Sequence, residues 1–201
     1  MLVLELIKDY KVVLVSQSPR RKELLKAMGI HFSVAKAPVE EVYPSGMPAK
    51  KVAKYLSKLK FEKACSTINH TAKTLFITAD TIVVSGNMLL GKPADIGEAK
   101  KMLMSLGGKY HTVITGVCFG NRYGKKCFDA KTKVFFEAME EAEAEYYATH
   151  YNVLDKAGGY GIQDWIGITK ISGIKGSYTN VMGLPTQKLY KNLKKFLTKK
   201  E

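Results

Sequence analysis

The 201-residue sequence predicts a mixed α/β fold, a β-sheet flanked by helices, and three observations carry that expectation. Short β-branched and aliphatic runs alternate with longer segments of helical apolar spacing. Two pairs of strand runs are joined by short turn sequences and so read as hairpins, which argues against a purely parallel, doubly wound sheet. No internal repeat or low-complexity linker divides the chain, and its length suits a single domain spanning residues 1–201.

The elements follow in order. MLVLELI at the start is too short for a signal-peptide core, contains Glu5 and has no cleavage site. Val12 to Val15 (VVLV) reads as a buried strand. Ser18 then supplies a helix N-cap, Pro19 the first helical position, and Leu24, Leu25 and Met28 an apolar stripe. AKAPVEEVYPSGMP (35–48) is a loop by its three prolines. From Pro48 to about Ile68 the chain reads as a helix, with Val52, Leu56, Leu59 and Ala64 near one face. LFITADTIVV (75–84) is a strand interrupted at Ala79-Asp80, and Ser85-Gly86-Asn87 turns it into MLLG. Asp95 and Glu98 resemble a capping box opening a helix that ends at Gly107-Gly108. YHTVITGVCFG and CFDAKTKVFFEAM flank the turn NRYGKK as a second hairpin. Glu140 to Tyr151 is helical, AGGYGIQ (157–163) is a glycine-rich loop, ITKI (168–171) a short strand, and Pro185 to Leu197 a closing amphipathic helix.

Composition narrows the function classes. With 46% hydrophobic and 25% charged residues the chain is that of an ordinary soluble globular protein. No apolar run approaches the ~20 residues of a membrane span, so no membrane association is expected. Cys65, Cys118 and Cys127 are odd in number, widely spaced and free of any C-x-x-C, which predicts no disulfide framework and a reducing, cytoplasmic location. The charge balance of +14 suggests an anionic partner, or a lysine-rich surface serving solubility alone. Lys188, Lys191, Lys194 and Lys195 around the apolar stripe of the last helix would be the place to bind nucleic acid. That pattern is more commonly a packed helix with a solvated face, so nucleic acid is not the expected partner.

Local charge is more informative than the total. Arg20, Arg21 and Lys22 fill a first helical turn, where cations are disfavoured by roughly 0.3–1 kcal/mol each. A polyanion bound at that helix N-terminus would reverse the sign, with Ser16 and Ser18 adding hydroxyls and the arginine forks suiting phosphate. The alternative is that both arginines point into water. The glycines of a Walker loop, G-x-x-x-x-G-K-[ST], are missing, so this is not that motif. Asp80, inside an apolar strand run, is either a surface-facing residue or a carboxylate presented as general base or metal ligand. Glu40 and Glu41 are further candidates for a divalent cation. Gln163, after glycines that let backbone approach a ligand closely, can donate and accept at a base edge. His31, His70, His111 and His150 show no zinc-ligand spacing, and there is no G-x-S-x-G elbow.

Taken together, SQSPRRKELL, VEE, FEKA, ADTIVV, GKP, DKAGGYGIQ and GSYTNVMGLP, in this order between about Val12 and Leu197, resemble the Maf family of nucleoside-triphosphate pyrophosphatases, and the Ile-Gln pair its dTTP/UTP subfamily. The resemblance implies an elongated mixed sheet with two lobes around a deep cleft, an inosine triphosphatase-like architecture. It implies hydrolysis of a nucleoside triphosphate between the α- and β-phosphates, with Mg²⁺ or Mn²⁺, and it is compatible with a homodimer. Carried over by position, Ser16, Arg20 and Arg21 form the phosphate-binding start, and Lys63 and Lys92 face the phosphates. Asp80 is the acceptor of a proton from water, Glu41 the loop carboxylate for metal or catalysis, and both serve as metal ligands. Thr81 and Gln163, with Arg20, match positions associated with base choice; a 7-methyl-GTP pyrophosphatase would carry glutamate in place of Gln163. Where the family commonly continues Gln-Gly, this chain has Asp164-Trp165.

Overall fold

Val12 to Val15 are all buried in the computed structural model, which describes residues 1–198. They form most of strand β1 (Lys11–Val15), which pairs in parallel with β2 (Ser33–Ala35) and with β3 (Thr74–Ser85). Antiparallel β4 (Met88–Leu90) folds back on the end of β3, and the hairpin β5 (Tyr110–Asn121) and β6 (Gly124–Phe136) is followed by β7 (Ile171–Lys175), antiparallel to β6. The result is a mixed seven-stranded sheet in the order β2-β1-β3-β5-β6-β7, with β4 on β3. Both expected hairpins are present.

Around it run α1 (Val3–Leu6), α2 (Pro19–Ala27), α3 (Ala49–Thr67), α4 (Ile96–Leu106), α5 (Glu141–His150), α6 (Trp165–Lys170), α7 (Tyr178–Val181) and α8 (Thr186–Thr198), with a 3₁₀ turn at Ala157–Gly159. The chain divides into two units: residues 1–80, 115–130 and those from Gly183 on, and residues 81–114 with 131–182. Strands β3, β5 and β6 each contribute to both.

In the first unit, Val13 and Val15 of β1, Phe76 of β3 and Cys118 of β5 pack with Phe61 and Ala64 of α3. Each fully buried Val or Phe side chain contributes about 1.5–3 kcal/mol. Helix α3 is seated closely. The Thr78 hydroxyl donates to Ser57 O at 2.7 Å and reaches Cys118 O at 3.1 Å, tying α3 to β3 and β5. Gly116 of β5 faces the α3 backbone, where an added Cβ would stand 2.3 Å from the Ala53 carbonyl. Helix α8 buries Leu189, Leu193 and Leu197, and Lys188 donates to Asp129 O.

In the second unit, α4 and α5 cover Val83, Val113, Val134 and Phe136 through Leu103, Leu106, Ala144 and Tyr147. Asp95 caps α4, its Oδ1 accepting from Glu98 N at 2.7 Å, while the Glu98 carboxylate returns to Ala94 N at 2.6 Å. Gly158 and Gly159, at φ of 71° and 73°, occupy consecutive left-handed positions that side chains resist.

Four departures from the sequence-based expectations have physical causes. The expected strand 168–171 is the end of α6, because Asp164 starts a helix there, and the strand begins at Ile171 instead. Strand β3 is not interrupted at Ala79-Asp80. The short elements α1, β2 and α7 carry no periodicity long enough to read. Finally, Cys118 and Cys127 are joined by a disulfide, leaving Cys65 as the free thiol. Each sits four positions from its end of the two-residue turn Arg122-Tyr123, so the hairpin sets them opposite one another.

Candidate active site

Strand β1 ends into the first-turn cations. Ser16 follows Val15, and its Oγ accepts from Ser18 N at 3.2 Å and from Arg21 Nη1 at 3.3 Å. Ser18 occupies the N-cap position without a side-chain cap bond, so the first-turn amides are left without it. Arg21 Nε donates to Gly183 O at 2.9 Å, which anchors one edge of the guanidinium. Burial lowers the Arg21 pKa, Asp80 and Glu41 oppose that, and Arg20 reinforces it. An arginine starts high enough to remain a cation regardless.

Asp80 closes the first unit's part of β3 and is 6% exposed. Lys60 Nζ lies 2.5 Å from Asp80 Oδ1 and 2.7 Å from Glu41 Oε1, so one ammonium joins the strand carboxylate to the loop carboxylate. Desolvation raises the Asp80 pKa above the ordinary carboxylate value; Lys60 and Arg21 pull it down, and Glu41 adds to the rise. The Thr78–Ser57 bond holds this arrangement in place. Thr78 is two residues before Asp80 on the same strand face, and Ser57 is one helical turn before Lys60.

Two carboxylates disposed around one cation suit Mg²⁺ or Mn²⁺. Such ions take oxygen ligands and are commonly held by one or two protein carboxylates, with substrate phosphates and water completing the shell. No cluster of three or more His, Cys, Asp or Glu able to hold a metal occurs among the described residues; Glu41 and Asp80 are two carboxylates that an ion could share with substrate phosphates.

The structure therefore gathers Ser16, Arg21, Asp80 and Glu41 of the residues singled out from sequence, with Arg20 in electrostatic reach of Arg21. Lys63 is exposed on α3. Sequence reasoning missed Lys60, although a signal existed. Val52, Leu56 and Ala64 recur every four residues, and the gap in that row is Lys60, a charge on the buried face of a helix.

Thr81, Lys92 and Gln163 belong to the second unit. Thr81 is half-buried in β3 beside Asp80, and Lys92 is exposed. Gly158 N donates to Gly91 O at 2.8 Å, joining the segment that carries Lys92 to the loop that carries Gln163. Gln163 Oε1 is buried with no hydrogen-bond partner among the described residues, which is costly for an amide oxygen unless a ligand or water supplies a donor. A hollow of about 400 Å³ borders Gln163, lined by Ile162, Gly167, Ile171, Ile174 and Tyr178 among others.

A buried carboxylate on a lysine, beside a helix N-terminus furnished with arginines, is an arrangement that suits a phosphorylated ligand in an α/β protein. The chain belongs to the Maf family: the model of the Maf-like protein family matches residues 11–196. It is 45% identical over 195 residues to a dTTP/UTP pyrophosphatase of Porphyromonas gingivalis, covering 96% of this chain and 98% of that one. It is 47% identical over 186 residues to a dTTP/UTP pyrophosphatase of Bacteroides fragilis, covering 92% and 95%. Among solved structures it is similar to the Staphylococcus aureus Ham1 protein, with a TM-score of 0.43 and 14% identity over 63% of this chain and 71% of that one.

Proposed function

We propose that the protein hydrolyses dTTP and UTP between the α- and β-phosphates, releasing the nucleoside monophosphate and pyrophosphate. Family membership and the names of its relatives support the reaction. The observation that carries the chemistry is the buried Asp80 carboxylate held on Lys60 and facing the charge of Arg21. Opening a phosphoanhydride mainly requires positioning and neutralisation of developing negative charge. Ser16, Arg20 and Arg21 supply hydroxyl, guanidinium and helix N-terminus to the phosphates. Asp80 accepts the proton of the attacking water, and its raised pKa makes it a better base than an exposed aspartate.

Lys60 orients both carboxylates and is the α3 lysine that the geometry favours over Lys63 for contact with phosphate charge. Thr81, Lys92 and Gln163 complete the proposed substrate-binding set on the strength of the resemblance, with Gln163 reading the base. Glu41 and Asp80 would hold Mg²⁺ or Mn²⁺, which supplies further neutralisation of phosphate charge when bound. No helix among the described residues is long and apolar enough to cross a membrane.

A panel of dTTP, UTP, CTP, GTP, 7-methyl-GTP and ITP, assayed for pyrophosphate with Mg²⁺ or Mn²⁺ and again with a chelator, tests this reading. Preferential release from dTTP and UTP that stops with chelation is expected. Preference for a purine would overturn the substrate assignment, and release unaffected by chelation the metal assignment.

A further inference from the structure

Resting on the reading of Gln163 as the base reader, we infer that Tyr147 and Asp164 are positioning residues that select a 4-oxo pyrimidine by fixing where the Gln163 amide stands. Uracil and thymine offer an N3–H donor beside an O4 acceptor, whereas cytosine offers an N3 acceptor beside an N4 amino group. A glutamine amide carries one donor group and one acceptor, so a mobile one could slide or flip to satisfy either base. Discrimination therefore depends on how rigidly the amide is held.

The structure fixes the chain on either side of Gln163, and with it the point from which the amide extends. Tyr147 is fully buried, yet its hydroxyl is placed at a junction. It accepts from Gly161 N at 3.0 Å and donates to Asp164 Oδ2 at 2.7 Å, which brackets Gln163 two residues before and one after. Lys156, itself buried, lies 3.5 Å from the same Asp164 oxygen and donates to Asn152 O and to Asp155. Space is as restricted as the hydrogen bonding. A Cβ on Gly161 would stand 2.5 Å from Asp164 Oδ2, and one on Gly167 2.1 Å from Ile162 O. Within this frame the Gln163 Oε1, buried and lacking a donor, fits an N3–H from the base. Asp164 thus gives a role to the position where the family commonly has glycine: an acid that secures the loop through a tyrosine.

UTP and CTP, which differ only at the edge in question, provide the test. The ratio of their kcat/KM values is measured for the native protein, Gln163→Ala, Tyr147→Phe and Asp164→Asn. Tyr147→Phe deletes both hydroxyl bonds, while Asp164→Asn keeps an acceptor for Tyr147 and removes the charge facing Lys156. The UTP:CTP ratio is expected to fall about tenfold in Gln163→Ala and Tyr147→Phe, the scale of one lost hydrogen bond, and less in Asp164→Asn. The fall should come through KM for UTP, with kcat at saturation changed by under about threefold. If Gln163→Ala lowers the ratio and a folded Tyr147→Phe does not, the positioning inference is wrong and the base-reader reading stands. If Tyr147→Phe slows both nucleotides equally, its role is structural and the inference fails. If Gln163→Ala leaves the ratio unchanged, the base-reader reading fails and takes the inference with it. Should Tyr147→Phe not fold, Asp164→Ala decides on the same ratio.

Discussion

Replacing Lys60 by methionine keeps the packing of the helix row and removes the ammonium that lies 2.5 Å from Asp80 and 2.7 Å from Glu41. Glu41 is half-exposed and can turn to water, so its loss is small. Asp80 is buried, and stranding its charge costs about 3–5 kcal/mol if it stays ionised. It can instead take up a proton, and this gives the perturbation a pH signature. Lys60 normally pulls the Asp80 pKa down against desolvation, so its removal raises that pKa further. A carboxyl whose folded pKa is raised binds its proton more tightly when folded. Its stabilisation is present at low pH and is lost as pH rises through the folded pKa, at up to about 1.4 kcal/mol per pH unit. Lys60→Met should therefore differ from the native protein by about 1 kcal/mol at pH 5 and by at least about 3 kcal/mol at pH 8. Urea unfolding at both pH values, with unchanged m-values, measures this. A penalty equal at the two pH values would refute the coupling between Lys60 and Asp80.

Further outcomes follow from other contacts. The acid limb of the kcat/KM profile should lie above the ordinary aspartate value because Asp80 is raised, and in any Lys60→Met protein still turning over it should move to higher pH. Arg21→Ala should reduce turnover by at least about a hundredfold, and Arg21→Lys should recover little of it, since an ammonium cannot bond Gly183 O, Ser16 and a phosphate in one plane. Burial lowers the His111 pKa to about 4 beside Tyr160, so this histidine folds neutral. Its stabilisation is complete above about 6.5 and is lost as pH falls toward 4, roughly 3 kcal/mol in all. The double variant His111→Phe/Tyr160→Phe, which leaves no orphaned hydroxyl, should flatten that slope in thermal unfolding. Gly116→Ala should cost at least about 1–3 kcal/mol in urea unfolding, because the new methyl meets the Ala53 carbonyl.

The sequence made long periodic segments legible and tertiary pairings illegible. Helix α3 matches its reading from Pro48 to Ile68, and α5 matches its reading from Glu140 to Tyr151, because caps and 3.6-residue spacing are local properties. The strand through Asp80 read as broken because a buried aspartate is costly alone. What removes that cost is Lys60, twenty residues away; the apolar row of α3 marks Lys60 as a charge on the buried face but does not pair it with Asp80. FEKA brings out Lys63 as a motif, whereas Lys60 shows in the sequence only as a charge filling one place in the row Val52, Leu56 and Ala64. Cys118 and Cys127 are nine residues apart with no motif joining them, and it is the register of the hairpin that brings them together. Arg20 and Arg21 were legible earliest, because two cations in a first turn contradict the helix dipole without any reference to tertiary structure.

The central claim, that Asp80 activates water to open the α–β anhydride, is tested most directly by following dTTP with Mg²⁺ in the native protein and in Asp80→Asn. Chromatography resolves monophosphate with pyrophosphate from diphosphate with phosphate. The account predicts monophosphate and pyrophosphate in equal amounts from the native protein, and at least a hundredfold slower release from a folded Asp80→Asn. Diphosphate as the product, or full turnover in the variant, would contradict it.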